Sequence, residues 1–142
     1  MKTYSADKIR NVALLGHSSS GKTTLTEAVL FATGVTKRQG RVEDGNTVSD
    51  FEKEEIARKV SIGTTVIPVE WKDTKFNLLD TPGYFDFIGE MYGAKRASEG
   101  SVLLVDASSG IEVGTEKAWK NLEKYVTPRI IFLNKMDKEE VN

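Results

Sequence analysis

The chain has 142 residues, of which 39% are hydrophobic, so it can bury one core and a single domain over residues 1–142 is expected. Its 20 basic and 21 acidic residues give a net charge of −1, which excludes a strong overall attraction to nucleic acid or anionic lipid, and no direct nucleic-acid patch is evident. The lack of cysteine excludes disulfides and thiolate sites, and the short apolar runs predict no membrane span or signal peptide, so a cytoplasmic location is expected.

The first predicted strand, residues 9–16, leads directly into a glycine-rich loop. Residues 16–23 read Gly-His-Ser-Ser-Ser-Gly-Lys-Thr, a spacing typical of a phosphate-binding loop. In such a loop the backbone N–H groups point into one concavity, and the following helix adds its partial positive charge. Lys22 is predicted to reach the β- and γ-phosphates, and the Thr23 hydroxyl to bind Mg²⁺. The alternative is a strand-to-helix turn with a capping serine and a solvated lysine. The residues predicted to bind nucleotide in this loop are Gly16, His17, Ser18, Ser19, Ser20, Gly21, Lys22, Thr23 and Thr24.

A helix is expected to start near Thr24 and to end near Thr33, where Gly34 can supply a left-handed cap. Hydrophobic periodicity then disappears over residues 35–59. A connection of this length inside a compact domain is usually functional or mobile. An accessory helix over residues 51–58 with a solvated charged face is an equally weighted alternative.

Residues 62–71 and 75–79 are rich in strand-forming side chains and are predicted to form a hairpin. An Asp-Thr-Pro-Gly sequence follows the second strand at residues 80–83. Asp80 is predicted to hold a water molecule in the shell of the same Mg²⁺, and the unobstructed N–H of Gly83 to donate to a γ-phosphate. The alternative is a plain strand-to-turn sequence, since Asp, Pro and Gly all favour turns.

The second half of the chain continues the alternation of strands and helices. It predicts a helix over residues 84–98, a buried strand over 101–105, a loop over 106–114, a helix over 115–125 with Trp119 on its apolar face, a strand over 128–133 and a short charged tail. This order predicts an α/β fold with a doubly wound, mostly parallel sheet and one antiparallel strand. Ligands of such sheets bind at the carboxyl ends of the strands, where the candidate loops lie.

The sequence Asn-Lys-Met-Asp at residues 134–137 follows the last predicted strand, where a nucleotide base is expected. The Asp137 carboxylate can accept two hydrogen bonds from guanine but would face an acceptor on adenine, which would leave polar groups unpaired. Guanine is therefore the predicted base, and an ATP-using kinase or ATPase is disfavoured. The alternative is a polar cluster at the start of a helix.

The three motifs, in this order, resemble the signatures of translational GTPases. Residues 40–51, Arg58 and residues 80–87 are similar to elongation factor G in particular. The resemblance implies a P-loop NTPase fold, GTP, GDP and Mg²⁺ as ligands, the ribosome as partner of the complete protein, and ribosome-stimulated GTP hydrolysis in translation elongation. It also implies switches over about residues 37–61 and 80–91, a Lys135 side chain that packs along the base, and an Asn134 that steadies the loops.

Three positions depart from the elongation factor G pattern. Ser19 stands where the family has an aspartate, and Ser61 stands where a threonine binds Mg²⁺. Tyr84 stands where a histidine positions the attacking water, and a phenol differs from an imidazole in reach and basicity. The predicted catalytic residues are Tyr84, Lys22 and Gly83, and the predicted metal ligands are Thr23, Ser61 and Asp80. The alternative function is a nucleotide-gated binding module with little hydrolysis of its own.

The resemblance further implies an inserted subdomain, a sixth strand and a guanine-contacting loop beyond Asp137. The chain is therefore expected to be the N-terminal part of a GTP-binding domain of a larger multidomain protein, truncated before the sixth strand and weak or inactive alone. Residues 130–133 would then form an exposed apolar edge, which predicts self-association along that strand.

Overall fold

A five-stranded sheet is built around the apolar run that ends at Gly16. The computed structural model describes residues 2–138 and 141, so residues 139, 140 and 142 of the predicted charged tail lie outside the described residues. The strands are β1 Ile9–Gly16, β2 Thr65–Trp71, β3 Thr74–Asp80, β4 Gly100–Asp106 and β5 Arg129–Asn134. Their order is β2-β3-β1-β4-β5, with β2 antiparallel to β3 and all other pairs parallel. The predicted doubly wound, mostly parallel sheet is confirmed.

Helices cover both faces of this sheet. The α-helices are α1 Lys22–Ala32, α2 Lys53–Arg58, α3 Ile88–Arg96 and α4 Val113–Lys124, and of these α1, α3 and α4 pack on the strands. Successive residues of β1 point to opposite faces, as the pleat requires. Ala13 and Leu15 pack with residues of α3 and α4, whereas Val12 packs with Leu30 of α1. Full burial of a leucine such as Leu15 contributes about 1.5–3 kcal/mol. The hydrophobic clusters on the two faces therefore stabilise the sheet and, with it, the positions of the loops at its edge.

The β2–β3 hairpin begins later than the sequence predicts. Strand β2 starts at Thr65, not at residue 62, because the N–H groups of Ile62 and Gly63 donate to the buried Glu55 carboxylate, at 2.9 and 3.2 Å. The same carboxylate group accepts from the N–H of Glu52 and closes a capping box on α2. The Glu55 carboxylate thus accepts hydrogen bonds from backbone N–H groups that a longer strand would have paired with its neighbour.

Trp119 of α4 and the apolar side chains of β5 are exposed to solvent. The sequence predicts Trp119 on the apolar face of its helix, but the residue is 36% exposed and the Arg129 guanidinium stacks 4.1 Å from its ring centroid, so Trp119 is not part of the buried core. Strand β5 pairs with β4 alone among the described strands. Its four apolar side chains are 38–68% exposed, as predicted for residues 130–133. Self-association along this edge stays a prediction.

Candidate functional site

Four loops meet at the carboxyl edge of the sheet, around an open cavity of about 540 Å³. They follow β1, β3 and β5, and the fourth is the irregular segment before β2. The parallel register brings them together because neighbouring parallel strands end at the same edge. The predicted site residues that line the cavity are Ser18, Ser19, Gly21, Lys22, Thr23, Thr24, Ser61, Gly83, Tyr84, Asn134, Lys135 and Asp137.

Four predicted site residues lie just outside this lining. Gly16 and His17 line a smaller neighbouring cavity of about 60 Å³. His17 accepts a hydrogen bond from the Gly114 N–H on Nδ1, at 3.2 Å, and its Nε2 lies 3.4 Å from a Glu112 carboxylate oxygen, so it ties the loop to the start of α4. Ser20 is 1% exposed and Asp80 is 2% exposed, so both lie beneath the cavity floor.

The glycine-rich loop turns sharply into α1. Gly21 is the N-cap of α1 in the left-handed region, at φ 98°, and a Cβ there would collide with the Asn134 side-chain amide. Ser19 is also left-handed, at φ 62°. The first N–H groups of α1 have no side-chain cap and remain available at the cavity. This is the geometry of an anion-binding helix start.

Lys22 is the buried cation of the site. Its ammonium donates to the carbonyl oxygens of Gly16 and His17, at 3.2 and 2.8 Å, and the residue is 6% exposed. Burial lowers the pKa of this ammonium to about 8, although the Asp80 charge opposes the shift. The side chain thus carries a positive charge that backbone carbonyls compensate only in part.

Asp80 lies beside this lysine at the end of β3. Within the described chain, neither carboxylate oxygen has a hydrogen bond of good geometry, and burial raises the pKa to about 6 against the opposing influence of the nearby Ser49 and Thr23 hydroxyls and the Lys22 ammonium. An unpaired buried carboxylate is costly, and each such group requires an explanation.

The Thr23 hydroxyl and a second carboxylate, Asp50, lie close to Asp80, and Ser61 joins the two. The Thr23 hydroxyl lies 3.2 Å from Ser61 Oγ, and Ser61 donates to Asp50 Oδ1 at 2.7 Å. Burial also raises the pKa of Asp50. The predicted residues Thr23, Ser61 and Asp80 therefore come together, with Asp50 as a fourth member that the sequence did not predict.

Gly83 packs directly against the glycine-rich loop. A Cβ at this position would lie 2.5 Å from Lys22 Nζ and 2.6 Å from the Ser18 backbone nitrogen. Only glycine allows so close an approach of the two backbones. Tyr84 follows it at the cavity mouth and is 46% exposed.

The loop after β5 is bonded to the glycine-rich loop. Asn134 Nδ2 donates to the Ser20 carbonyl at 2.9 Å, and Lys135 Nζ donates to the Ser19 carbonyl at 2.7 Å. Asp137 lines the cavity and is exposed. Lys22 and Asp137 therefore face the same cavity, on the same edge of the sheet.

Asp106, the last residue of β4, organises this end of the cavity. Its Oδ2 accepts from Lys135 Nζ at 2.6 Å, and its Oδ1 accepts from the Ser108 hydroxyl and N–H at 2.6 and 3.0 Å. The hydrogen bond from Lys135 is the main reason why the pKa of this carboxyl lies well below its usual range. Lys135 is thereby held in one orientation beside the cavity.

Three acidic residues of the site region were missed from the sequence. Asp106 could have been found, because it ends a parallel strand just as Asp80 does. Asp50 lies in an irregular segment and carries no positional signal. Glu27, 1% exposed in α1, accepts from the N–H groups of Gly40 and Val48 at 3.0 and 2.6 Å and anchors the irregular segment. From the sequence alone, a helical glutamate is expected to be solvated, because its burial depends on a loop whose position is not yet known.

The parallel sheet, the glycine-rich loop between β1 and α1, and the loops that converge on it define a P-loop nucleotide-binding domain. Residues 7–142 match the protein family described as "Elongation factor Tu GTP binding domain". The chain belongs to this family.

Individual relatives agree with this assignment. The chain is 39% identical over 138 residues to "Elongation factor G" of Granulibacter bethesdensis, which covers 97% of this chain and 20% of that protein. It is 44% identical over 131 residues to "Ribosome-releasing factor 2, mitochondrial" of Danio rerio, covering 92% of this chain and 17% of that protein. A crystal structure of a protein from Thermus thermophilus superposes with a TM-score of 0.88 at 45% identity, over 92% of this chain and 20% of that one. The chain thus spans about a fifth of the length of these relatives.

In the described part of the chain, no helix has the length and apolar character needed to cross a membrane. The cytoplasmic location expected from the sequence stays a prediction.

Proposed function

We propose that the chain binds GTP and GDP together with Mg²⁺ and hydrolyses GTP in translation, at a rate set by the ribosome. The observation that carries this proposal is the convergence of the loops after β1, β3 and β5 on one cavity, with the unpartnered Asp80 carboxylate beneath it. The names of the relatives, an elongation factor and a ribosome-releasing factor, support the ribosome as partner.

The glycine-rich loop would hold the phosphates. The uncapped N–H groups at the start of α1 supply hydrogen-bond donors, and Lys22 supplies a positive charge beside them. Lys22 is already desolvated, so its attraction to a phosphate is weakly screened. In this proposal Lys22 leaves the carbonyls of Gly16 and His17 for stronger charged acceptors.

The residues around Asp80 fit a Mg²⁺ ion bound together with phosphate oxygens. Among the described residues there is no cluster of three or more His, Cys, Asp or Glu side chains that could enclose a metal. Mg²⁺ commonly takes one or two carboxylates and completes its shell with water and substrate phosphates. Thr23 and Ser61 would ligate the ion, Asp80 would hold its water, and Asp50 would orient the Ser61 hydroxyl. The ion would neutralise charge on the phosphates.

Asn134, Lys135 and Asp137 would select guanine. Asp137 presents an exposed carboxylate to the cavity and can accept from both N–H groups of the guanine edge. Lys135, which is held by Asp106, would pack along the base. Asn134 keeps the loop joined to Ser20.

Hydrolysis by the chain alone is expected to be slow. Tyr84 lines the cavity beside Gly83, which supports a role for its phenol in contacting the attacking water. A GTPase that lacks a completing partner turns over at about 10⁻⁴ per second, and a partner raises this about 10⁵-fold. That factor corresponds to roughly 7 kcal/mol of barrier.

Nucleotide competition tests the binding proposal. A fluorescent GDP analogue should be displaced by GTP and GDP but not by ATP, and its affinity should fall when Mg²⁺ is removed. Equal displacement by ATP would contradict the role of Asp137.

Turnover measurements test the role of Tyr84. GTP hydrolysis should be stimulated by ribosomes, and the Tyr84→His variant should alter the stimulated rate while GDP affinity stays constant. The Tyr4→His variant serves as control, because Tyr4 does not line the cavity. If ribosomes do not stimulate hydrolysis but nucleotide still binds, the chain is a nucleotide-gated binding module instead.

A further inference from the structure

A second concave surface, distinct from the nucleotide cavity, lies between α3 and α4. It is an open groove of about 720 Å³. Its walls carry basic side chains from both helices and no acidic side chain. The basic residues are Lys95, Arg96, Lys117, Lys120 and Lys124. Since the whole chain has a net charge of −1, this groove concentrates positive charge that the composition does not reveal.

Most of these charges are uncompensated. Among the described residues, only Lys120 of the five forms an ion pair, with Glu116 of the same helix at 3.6 Å. Like charges gathered in one groove repel one another, and an acidic ligand would relieve that repulsion.

Aromatic rings lie between the cations. Lys117 Nζ lies 3.2 Å from the Phe85 ring centroid, and Lys95 Nζ lies 4.0 Å from the Tyr125 ring centroid. Phe85 and Tyr125 are 61% and 55% exposed. An ammonium group occupies one face of each ring, which leaves the exposed ring surface for apolar contacts and makes less of it available for the base stacking of single-stranded recognition. The rings and Ile88 provide instead an apolar floor beneath a cationic rim.

We propose that the groove between α3 and α4 binds an acidic polypeptide segment of a partner protein. Carboxylates of the segment pair with Lys95, Lys117 and Lys124, and its apolar side chains pack on Ile88 and the aromatic rings. Carboxylates complement the charge of these cations, and the apolar floor of Ile88, Phe85 and Tyr125 offers contacts to apolar side chains of a polypeptide that a phosphate backbone lacks. An apolar floor with a charged rim is the common anatomy of a protein interface.

The groove shares residues with the segment that follows Gly83. Phe85 belongs to the short 3-10 turn before α3, two residues after Gly83, and it is the residue that Lys117 covers. If the proposed function holds, the residues that follow Gly83 respond to the nucleotide. The affinity of the groove for the acidic polypeptide then differs between the GTP and GDP forms. Charge-dependent binding in the groove does not itself require that function.

Fluorescence anisotropy tests the proposal with a labelled peptide of repeated Glu-Glu-Leu units. The peptide should bind, binding should weaken with salt, and a matched Gln-Gln-Leu peptide should bind at least about tenfold more weakly. An oligouridylate RNA of similar length should not compete. Equal binding of the glutamine peptide, or preferential binding of the RNA, would overturn the proposal.

Charge reversal locates the binding surface. The triple variant Lys95→Glu, Lys117→Glu, Lys124→Glu should lose peptide affinity by about tenfold or more, while GDP affinity is retained. The control Lys2→Glu, Lys8→Glu, Lys72→Glu has the same net charge and should change peptide affinity less than about twofold. Equal losses in both would overturn the proposal.

Two further measurements keep the outcome unambiguous. If circular dichroism shows that the triple variant is unfolded, the corresponding Lys→Gln triple replaces it, with the same expected loss. Sedimentation should show the same oligomeric state for the unmodified chain and the charge-reversal triple variant, since a second copy seated in the groove would be released by the triple variant and would overturn the proposal. Loss of GDP binding by the unmodified chain would refute the proposed function but leave the peptide result standing.

Discussion

The two ends of the nucleotide cavity treat their charges in opposite ways. At the Asp80 end, defined by Lys22, Thr23, Asp50, Ser61 and Asp80, the central carboxylate has no partner and burial raises its pKa to about 6. At the Asp106 end, defined by Asp106, Ser108, Asn134, Lys135 and Asp137, three hydrogen bonds satisfy the central carboxylate and its pKa is lowered. One end is incomplete without a ligand, whereas the other is organised before any ligand arrives.

This difference separates the source of affinity from the source of stability. Groups that are desolvated and unpaired cost free energy in the free protein and recover it when a charged ligand binds. Groups that satisfy one another contribute to folding and fix the geometry in advance. Mutations at the two ends should therefore have opposite effects on the free protein.

The largest expected effect is on binding at the Asp80 end. The Lys22→Ala variant should bind GDP about 10- to 100-fold more weakly, because a charged hydrogen bond contributes about 1.5–3 kcal/mol. Its free-state thermal midpoint should not fall, since a desolvated cation is removed. Titration of a fluorescent GDP analogue and thermal unfolding measure both quantities. The exposed Lys53→Ala substitution is the control, and equal loss of affinity there would contradict the assignment.

Asp106→Asn tests the Asp106 end. It should lower the free energy of unfolding by about 1–2 kcal/mol, because the Lys135 ammonium loses its charged acceptor. GDP affinity should fall less than in the Lys22→Ala variant, since Lys135 keeps the Ser19 carbonyl. Urea denaturation measures the change, with the exposed Asp73→Asn as control. An unchanged unfolding free energy would show that the network is not structural.

Asp80→Asn should have the opposite sign in the free protein. Burial of a neutral amide avoids the cost of an unpaired carboxylate, so the unfolding free energy should stay constant or rise. The dependence of nucleotide affinity on Mg²⁺ should disappear. Stabilisation by Asp106→Asn together with destabilisation by Asp80→Asn would reverse the comparison.

The pH dependence of stability tests the raised pKa of Asp80. The pKa of Asp80 is raised from 3.8 to about 6, so between these values the folded state binds more protons than the unfolded state. The unfolding free energy of the nucleotide-free protein should therefore receive a contribution from Asp80 that falls as pH rises from about 4 to about 6. Burial raises the pKa of Asp50 as well, so the Asp80→Asn variant should show a smaller slope, not a zero slope.

The smallest expected effect concerns Ser61. Ser61→Thr keeps the hydroxyl that donates to Asp50, so Mg²⁺-dependent nucleotide affinity should stay within about twofold of the unmodified chain. Ser61→Ala removes that hydroxyl and should reduce the Mg²⁺ dependence clearly. Similar affinities for both variants would exclude Ser61 as a metal ligand.

Much of the fold follows from local sequence patterns. The apolar run at residues 12–15, the hairpin and the strand–helix alternation predict the sheet, because each depends on periodicity or on nearby turn residues. Lys72 and Asp73 form the two-residue hairpin turn at φ 45° and 60°, close to the predicted position. The motif loops then follow from the topology, since they end parallel strands.

The rest depends on contacts between residues far apart in the chain. The start of β2 at Thr65 depends on Glu55, and the anchoring of the irregular segment depends on Glu27. Asp106 and Lys135 are 29 residues apart and meet only when β4 and β5 pair. The basic groove between α3 and α4 arises in the same way. Local patterns cannot predict such pairs, because their partners are known only after the strands and helices are assembled.

The bonds from Asn134 to Ser20 and from Lys135 to Ser19, at 2.9 and 2.7 Å, have a further consequence. They fix the distance between the glycine-rich loop and the loop after β5. A ligand must match this length as well as the chemistry at each end, so a nucleotide with a shortened or extended linkage between sugar and phosphate should be rejected even if it carries the correct base.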